Sequence, residues 1–392
     1  MILKKNKEMS KRSDALKLLR GETPEYVPWY GDLQYWIEYL LSNDIMPDRY
    51  IDEDYRAADK TESLYLSAFF VGEGLQQLHE DLGVGFYLQG YFPFDTFIDA
   101  DKTITQENGR RTTIWHTPYG DLTEIELYDR NSCSCAPLER LVKSHKDLKA
   151  LRWLYEHTRY EPDYALAEKR VLRVGENGIV VCYLPKSPFQ ELVALKAGIE
   201  AVTYIYMDAE AELRETLEVI EAKHDEAARI AISSPAEVIF SPENLSSDLS
   251  GGMFFNKYLS PVYEKWTGWI RDEGKVSMVH LDGALDPLVE NLSGVGFDVV
   301  EAITPYPVGD LRLEEIRTHT SPKTVLWGGI PGGFFTQILS NNDFDHYVKN
   351  AIELFKKDGR FVLGVGDQVS PGASFERVRR VNELVLEYGR YD

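Results

Sequence analysis

The stretch VSMVHLDGALDPLVENLSGVGFDVVEAIT, residues 276–304, carries the pattern that decides the fold. Val276 to Val279 are an apolar run of the kind found in strands covered on both faces. The run stops on His280-Leu281-Asp282-Gly283. DPLVENLSGVG (286–296) then reads as a helix closed by glycine. DVVEAIT (298–304) is a second strand, and it brings up Glu301. Strand, helix and strand in this order predict a βαβ unit with parallel strands.

The same rhythm extends to both sides. VPWYGD (27–32), GVGFYLQGY (83–91), IVVCYLP (179–185), AEVIF (236–240), TVLWGGIP (324–331) and FVLGVGD (361–367) read as further strands. Helical spacing fills 212–232, 257–274, 311–319, 346–359 and 374–389 between and after them. Eight strands predict an α/β protein, a single (β/α)8 TIM-type barrel over residues 1–392. KRSDALKLLRGE (11–22) adds an N-terminal helical extension. An open doubly wound sheet is the alternative, weakened by the lack of a G-x-G-x-x-G after an early strand. Residues 95–130 differ. They alternate, turn at Asn108-Gly109, turn again at Pro118-Tyr119-Gly120, and alternate once more, predicting an inserted antiparallel β meander.

Lys plus Arg number 43 and Asp plus Glu 64, a net charge of −21. Such a surface repels nucleic-acid phosphates and anionic membranes, so neither is expected as a partner. No apolar run is long enough to cross a bilayer. The start has charge but no apolar core, so no secretory signal is expected. Three cysteines cannot all pair within the chain, which suits a reducing cytoplasm. Cys133-Ser134-Cys135 lacks the second pair of ligands that a thiolate metal site needs. A homodimer is the default expectation for a soluble enzyme.

In such barrels chemistry lies at the C-terminal ends of the strands. Here those ends carry Trp29, Tyr30 and Asp32; Glu243 and Asn244; His280 and Asp282; Glu301; and Asp367. Side chains at i and i+2 of a strand face one way, so His280 and Asp282 share a direction. Carboxylates gathered in a partly dry pocket repel one another unless a cation sits among them. His280, Glu301 and Asp367, with Asp282 or Glu243, are therefore expected to hold a divalent metal or to act as the acid. His280, Asp282, Glu301 and Asp367 are the expected catalytic set. Trp29, Tyr30 and Tyr91, with Glu243 and Asn244, are the expected substrate-binding set, and Tyr87 and Phe92 are further wall candidates. Each has a plainer reading: a turn for Asp282 or Asp367, a loop bond for His280, packing for the aromatics. Gly251-Gly252 mark the 246–255 loop as a candidate lid.

HLDG (280–283), GFDVVEA (296–302), VLWGGIP (325–331) and VLGVGDQVSPGASFERV (362–378) together resemble the uroporphyrinogen decarboxylase superfamily. KRSDALKLLRGETPEYVPW (11–29) is similar to that family's entrance. The resemblance implies a single barrel and one of two chemistries. Decarboxylation of a porphyrinogen relies in that family on arginines soon after the first strand, and residues 21–48 hold no Arg or Lys. The chain therefore looks closer to the corrinoid-dependent methyltransferase branch, which passes a methyl group between a small substrate and the cobalt of a separate corrinoid-binding protein. That branch holds zinc with a His-x-Cys pair and a later Cys. His280 matches the histidine, Asp282 stands at the first cysteine, and Asp367 falls near the second. A harder ligand set points away from thiols. The implied donor is a small O- or N-methylated molecule, such as a methoxylated aromatic or a methylamine, with zinc or another divalent metal in the site. Two alternatives remain: a metal-independent decarboxylase or lyase of a small acid using Lys186 or Arg312 as its cation, and a non-catalytic ligand- or corrinoid-binding barrel.

Overall fold

The computed structural model describes residues 10–60, 63–87, 91–247 and 251–392. Residues 88–90 of the second expected strand and 248–250 of the expected lid loop lie outside the described residues.

Six parallel strands follow in sequence order: Val181–Tyr183, Val238–Leu245, Val276–Leu281, Val299–Ile303, Val325–Pro331 and Phe361–Gly366. At one end of this sheet, the amides of Tyr30 and Leu363 bond the carbonyls of Leu363 and Pro28, a parallel bridge between Trp29 and Leu363. The Gly85 amide bonds the Trp29 carbonyl. Phe86–Tyr87 pairs in parallel with Gly178–Ile179, which runs on into Val181–Tyr183. Hydrogen bonding thus passes from segment to segment through eight of them and returns to the first.

The packing repeats this arrangement. One core cluster takes residues from every segment: Tyr30, Tyr87, Ile179 and Val181, Val238 and Phe240, Met278, Val299, Val325 and Trp327, and Val362. It is separate from the larger cluster under the helices. The Lys11–Leu19 helix sends Ala15, Leu18 and Leu19 into the inner cluster, and the Tyr30 hydroxyl donates to the Lys11 carbonyl (2.8 Å). The N-terminal extension therefore closes one end of the ring. Along Val276–Leu281, Met278 packs inside while Val279 and Leu281 pack outside under the helices. His280 follows Met278 on the inner side, one layer nearer the open end.

Two stretches depart from expectation. The antiparallel sheet has four strands over Lys102–Glu107, Arg110–Trp115, Leu122–Asp129 and Ser134–Glu139. Phe94–Ile98 pairs instead with Thr158–Pro162, so the meander begins later and ends later than 95–130. The helix expected over 311–319 is a run of turns ending in a short 3-10 segment, Ile316–His319. Asp310, placed to cap it, accepts instead from the amides of Leu285 (2.7 Å) and Asp286 (3.2 Å) across the loop. Among the described residues, no helix is long and apolar enough to cross a membrane.

Candidate active site

His280 and Glu301 are register partners on adjacent strands, so their inward side chains meet. His280 Nδ1 lies 2.7 Å from Glu301 Oε2. Tyr87 donates its hydroxyl to Glu301 Oε1 (3.1 Å). Glu301 is fully buried, and it fixes the ring from behind. The opposite ring atom, Nε2, faces two carboxylates, 3.9 Å from Asp282 Oδ1 and 3.6 Å from Asp367 Oδ1. One ligand-type atom each from His280, Asp282 and Asp367 lies within 4.8 Å of the others. Glu301, expected as a ligand beside His280 and Asp367, stands behind the ring, and Asp282 takes the open-face position.

The backbone at this rim is bent to deliver these groups. Asn244, Ala302 and Asp367 have left-handed φ values of +52°, +64° and +64°. Such backbone is uncommon outside glycine and clusters at functional sites. The register also slips after Ser241 and after Val300, re-aiming the residues that follow.

Burial works against charge on His280, but the Glu301 carboxylate at Nδ1 outweighs it. With Asp282 and Asp367 adding to the pull, the imidazole rises to about 9. Burial, reinforced by Asp282 and Glu301 and opposed by His280, pushes Asp367 up to about 6. Burial also lifts Asp32 to about 8, despite the Gln34 amide on its Oδ1 (2.8 Å). At neutral pH, without an ion, these shifts favour the imidazolium of His280 and the neutral acid of Asp32.

His280, Asp282 and Asp367 line a cavity of ≈ 570 Å³. Gln34, Tyr35 and Gln368 stand at its mouth, where the Tyr35 amide bonds Gln368 Oε1 (2.9 Å). Phe92, Phe94, Tyr160, Tyr183 and Phe240 form aromatic walls. Tyr155, Glu191, Lys196 and His224 also line it. There Glu191 accepts from Tyr155 (2.8 Å) and pairs with Lys196 (3.3 Å) on a π-helical turn, Glu191–Lys196.

The expected substrate-binding residues divide. Asn244 lines the cavity and accepts from Lys186 Nζ (2.8 Å). Trp29, 3% exposed, packs outside the ring against Phe335. Tyr30 sits one layer below Asp32, against Tyr87 and Trp327. Tyr91 donates to the Asp163 carbonyl (2.9 Å) beneath Arg170. Glu243 is wholly buried, accepting from the Ser187 amide and hydroxyl (both 2.7 Å) and from Tyr263 (3.0 Å). None of these four lines the cavity.

Sequence reasoning missed Tyr155, Glu191, Lys196 and His224, which lie outside the strand ends. Asp32, one layer above Tyr30, does not line this cavity. Fold and site together define an α/β protein with an acid-rich centre around a single imidazole, at the strand ends of a parallel ring.

No protein-family model matches the chain, and no curated protein matches it. Among solved structures, the chain is similar to a methyltransferase from Methanosarcina mazei, at 16% identity and a TM-score of 0.59. The match covers 97% of this chain and 99% of that one. At this identity the likeness is one of fold.

Proposed function

We propose that the ring is a (β/α)8 barrel serving as a methyltransferase. Its donor would be a small O- or N-methylated molecule and its acceptor a corrinoid carried by a separate protein. The observation that carries this reading is the open face of His280: a ring held by Glu301, with Nε2 turned toward Asp282, Asp367 and an aromatic-walled cavity. A methyltransferase of similar fold over nearly the whole chain supports the class.

The donor set suits a divalent cation. Nε2 and two carboxylates form a hard ligand group, and a carboxylate behind the ring is the usual support of a metal-binding histidine. His280, Asp282 and Asp367 would hold it. Bound there, a metal would polarise an ether oxygen or amine nitrogen as a Lewis acid. The three thiols, Cys133, Cys135 and Cys182, do not line the cavity, in keeping with an oxygen or nitrogen leaving group.

The chain's own residues have definite tasks. Phe92, Tyr183 and Phe240 exclude water and seat a flat body. Glu301 holds Nδ1, so without a metal the second ring proton sits on Nε2, where it can pass to the leaving atom. Asp282 and Asp367 compensate the imidazolium. The mouth at Gln34, Tyr35 and Gln368 is where the partner's cobalt would reach the methyl group.

The test is incubation with a reduced corrinoid protein and candidate donors while the cobalt absorbance is followed. Methylation that disappears in His280→Ala is the expected result. No change with any methoxylated aromatic or methylamine would sink the reading. A second reading, decarboxylation or another lyase reaction of a small acid, is favoured by Lys186. This cation lines the cavity, bonded to the carbonyl of Pro242 and to Asn244. Carbon dioxide release by metal-free protein would select it.

A further inference from the structure

A second cavity, ≈ 220 Å³, lies beside the main one and shares Gln34 with it. Its walls come from the Gln34–Ser42 and Glu73–Leu82 helices, the Leu66–Phe69 turn, Phe86, Tyr87 and Arg170. Seven buried side-chain polar atoms have no hydrogen-bond partner among the described residues, and three of them belong to residues lining this cavity: Ser67 Oγ, His79 Nδ1 and Arg170 Nη1. Ser67 is 8% exposed and His79 6%. Buried polar groups are nearly always paired, so three orphans around one space call for a missing partner.

The character of that partner follows from the charges. Arg170 makes no salt bridge among the described residues; its guanidinium lies over the Tyr91 ring at 4.2 Å. Burial lowers it to about 10, yet it stays cationic at neutral pH. Burial holds His79 near 4, so its ring is neutral. The guanidinium is half-buried, with Nη1 turned inward and no counter-ion among the described residues, and an anion beside it would be attracted. Ser67 supplies a hydroxyl donor. Asp32, protonated at neutral pH, borders the side nearest the main site. The remaining wall is apolar, with Ile37, Phe70, Leu75 and Phe86, while exposed Gln34 and Val71 mark the way to solvent.

We propose that this cavity is a binding site for a small organic carboxylate, with Arg170 as its counter-charge and Ser67 and His79 as its hydrogen-bonding partners. The apolar wall selects a carboxylate with a short hydrocarbon or aromatic body over inorganic anions. Ser67, His79 and Arg170 do not line the main cavity, and the proposal does not depend on the methyl-transfer reading.

The experiment is calorimetric titration of the full chain with benzoate at neutral pH, alongside benzamide and inorganic phosphate. Benzoate should bind and raise Tm, benzamide should bind at least tenfold more weakly, and phosphate should not compete. Arg170→Gln should weaken benzoate at least tenfold. The Tm of the free variant, read alongside, should show that it remains folded without the guanidinium over Tyr91. Ser67→Ala, a milder change, should weaken benzoate severalfold. Tyr183→Ala, in the main cavity, should leave benzoate affinity unchanged. Equal binding of benzamide, full affinity in Arg170→Gln, loss of binding in Tyr183→Ala, or no benzoate binding at millimolar concentration would each overturn the proposal.

Discussion

Of two acidic side chains near His280, one supports the fold at neutral pH and the other costs it stability, and each has its own prediction. Glu301 raises the imidazole from its ordinary value near 6.5 to about 9. A group that binds its proton more tightly when folded stabilises the fold fully below the unfolded pKa. That stabilisation is lost as pH rises through the folded value. In the presence of chelator, the His280–Glu301 pair should therefore support the fold at pH 6 and cease to do so by about pH 9. Glu301→Gln should flatten the fall in Tm across that window, read by calorimetry at several pH values. It should also reduce kcat/KM roughly 10–100-fold, as loss of a carboxylate behind a working histidine does. Asp32 is a cost at neutral pH. Its carboxyl is raised to about 8, so folding becomes less favourable as pH climbs from about 4 to 8. Asp32→Asn keeps an oxygen for the Gln34 amide and removes the titration. It should match the wild type near pH 4 and exceed its Tm by roughly 2–4 °C at pH 9. Equal curves at both pH values would mean that Asp32 is not buried as described.

At the scale of elements, the Lys11–Leu19 helix and the rim do separate jobs at opposite ends of the ring. Leu18 is fully buried in the inner cluster. Leu18→Ala should cost about 2–5 kcal/mol, seen as a lower urea midpoint with an unchanged slope. At temperatures where it stays folded, its KM and kcat should match the wild type, because the site lies at the other end. A shifted KM would show that the plug and rim are coupled. The strands were legible from sequence because a parallel strand buried on both faces leaves a continuous apolar run, as Val276–Val279 does. The segment 311–319 was not legible. Its spacing is helical, with Leu313 and Ile316 buried, but Asp310 serves a neighbouring loop and leaves it without a cap. That contact joins residues distant in sequence, and periodicity cannot report it. The meander's limits were blurred likewise: Phe94–Ile98 alternates as a meander strand would, yet its partner is Thr158–Pro162, beyond the antiparallel sheet.

Across the whole molecule, the parallel ring gathers residues 280, 282, 301 and 367 at one rim. That much follows from strand order and side-chain alternation. Depth does not: Tyr30 and Asp32 share a face, but only the packing of Trp327 and Tyr87 reveals that Tyr30 fills the interior. Nor does the division of labour between Glu301 and Asp282, which depends on which ring nitrogen faces the cavity. The outcome is a concentration of negative charge in a protein already at −21, and an ion bound there should stabilise the entire fold. A ligand that binds only the folded state at 100 times its Kd adds about 2.7 kcal/mol. Zinc or manganese should thus raise the Tm of chelator-treated wild type by a few degrees. Scattered surface carboxylates also attract divalent ions, so the deciding quantity is the metal-induced shift in Asp367→Asn. Asparagine tolerates the left-handed backbone at this position, φ +64°, where alanine would be strained. The substitution also relieves repulsion, so it can raise the metal-free Tm. Only the increment on adding metal counts. That increment should vanish in Asp367→Asn if His280, Asp282 and Asp367 hold the ion. An undiminished increment would assign the metal to the surface, leaving the His280 imidazolium as the acid of a site that works without one.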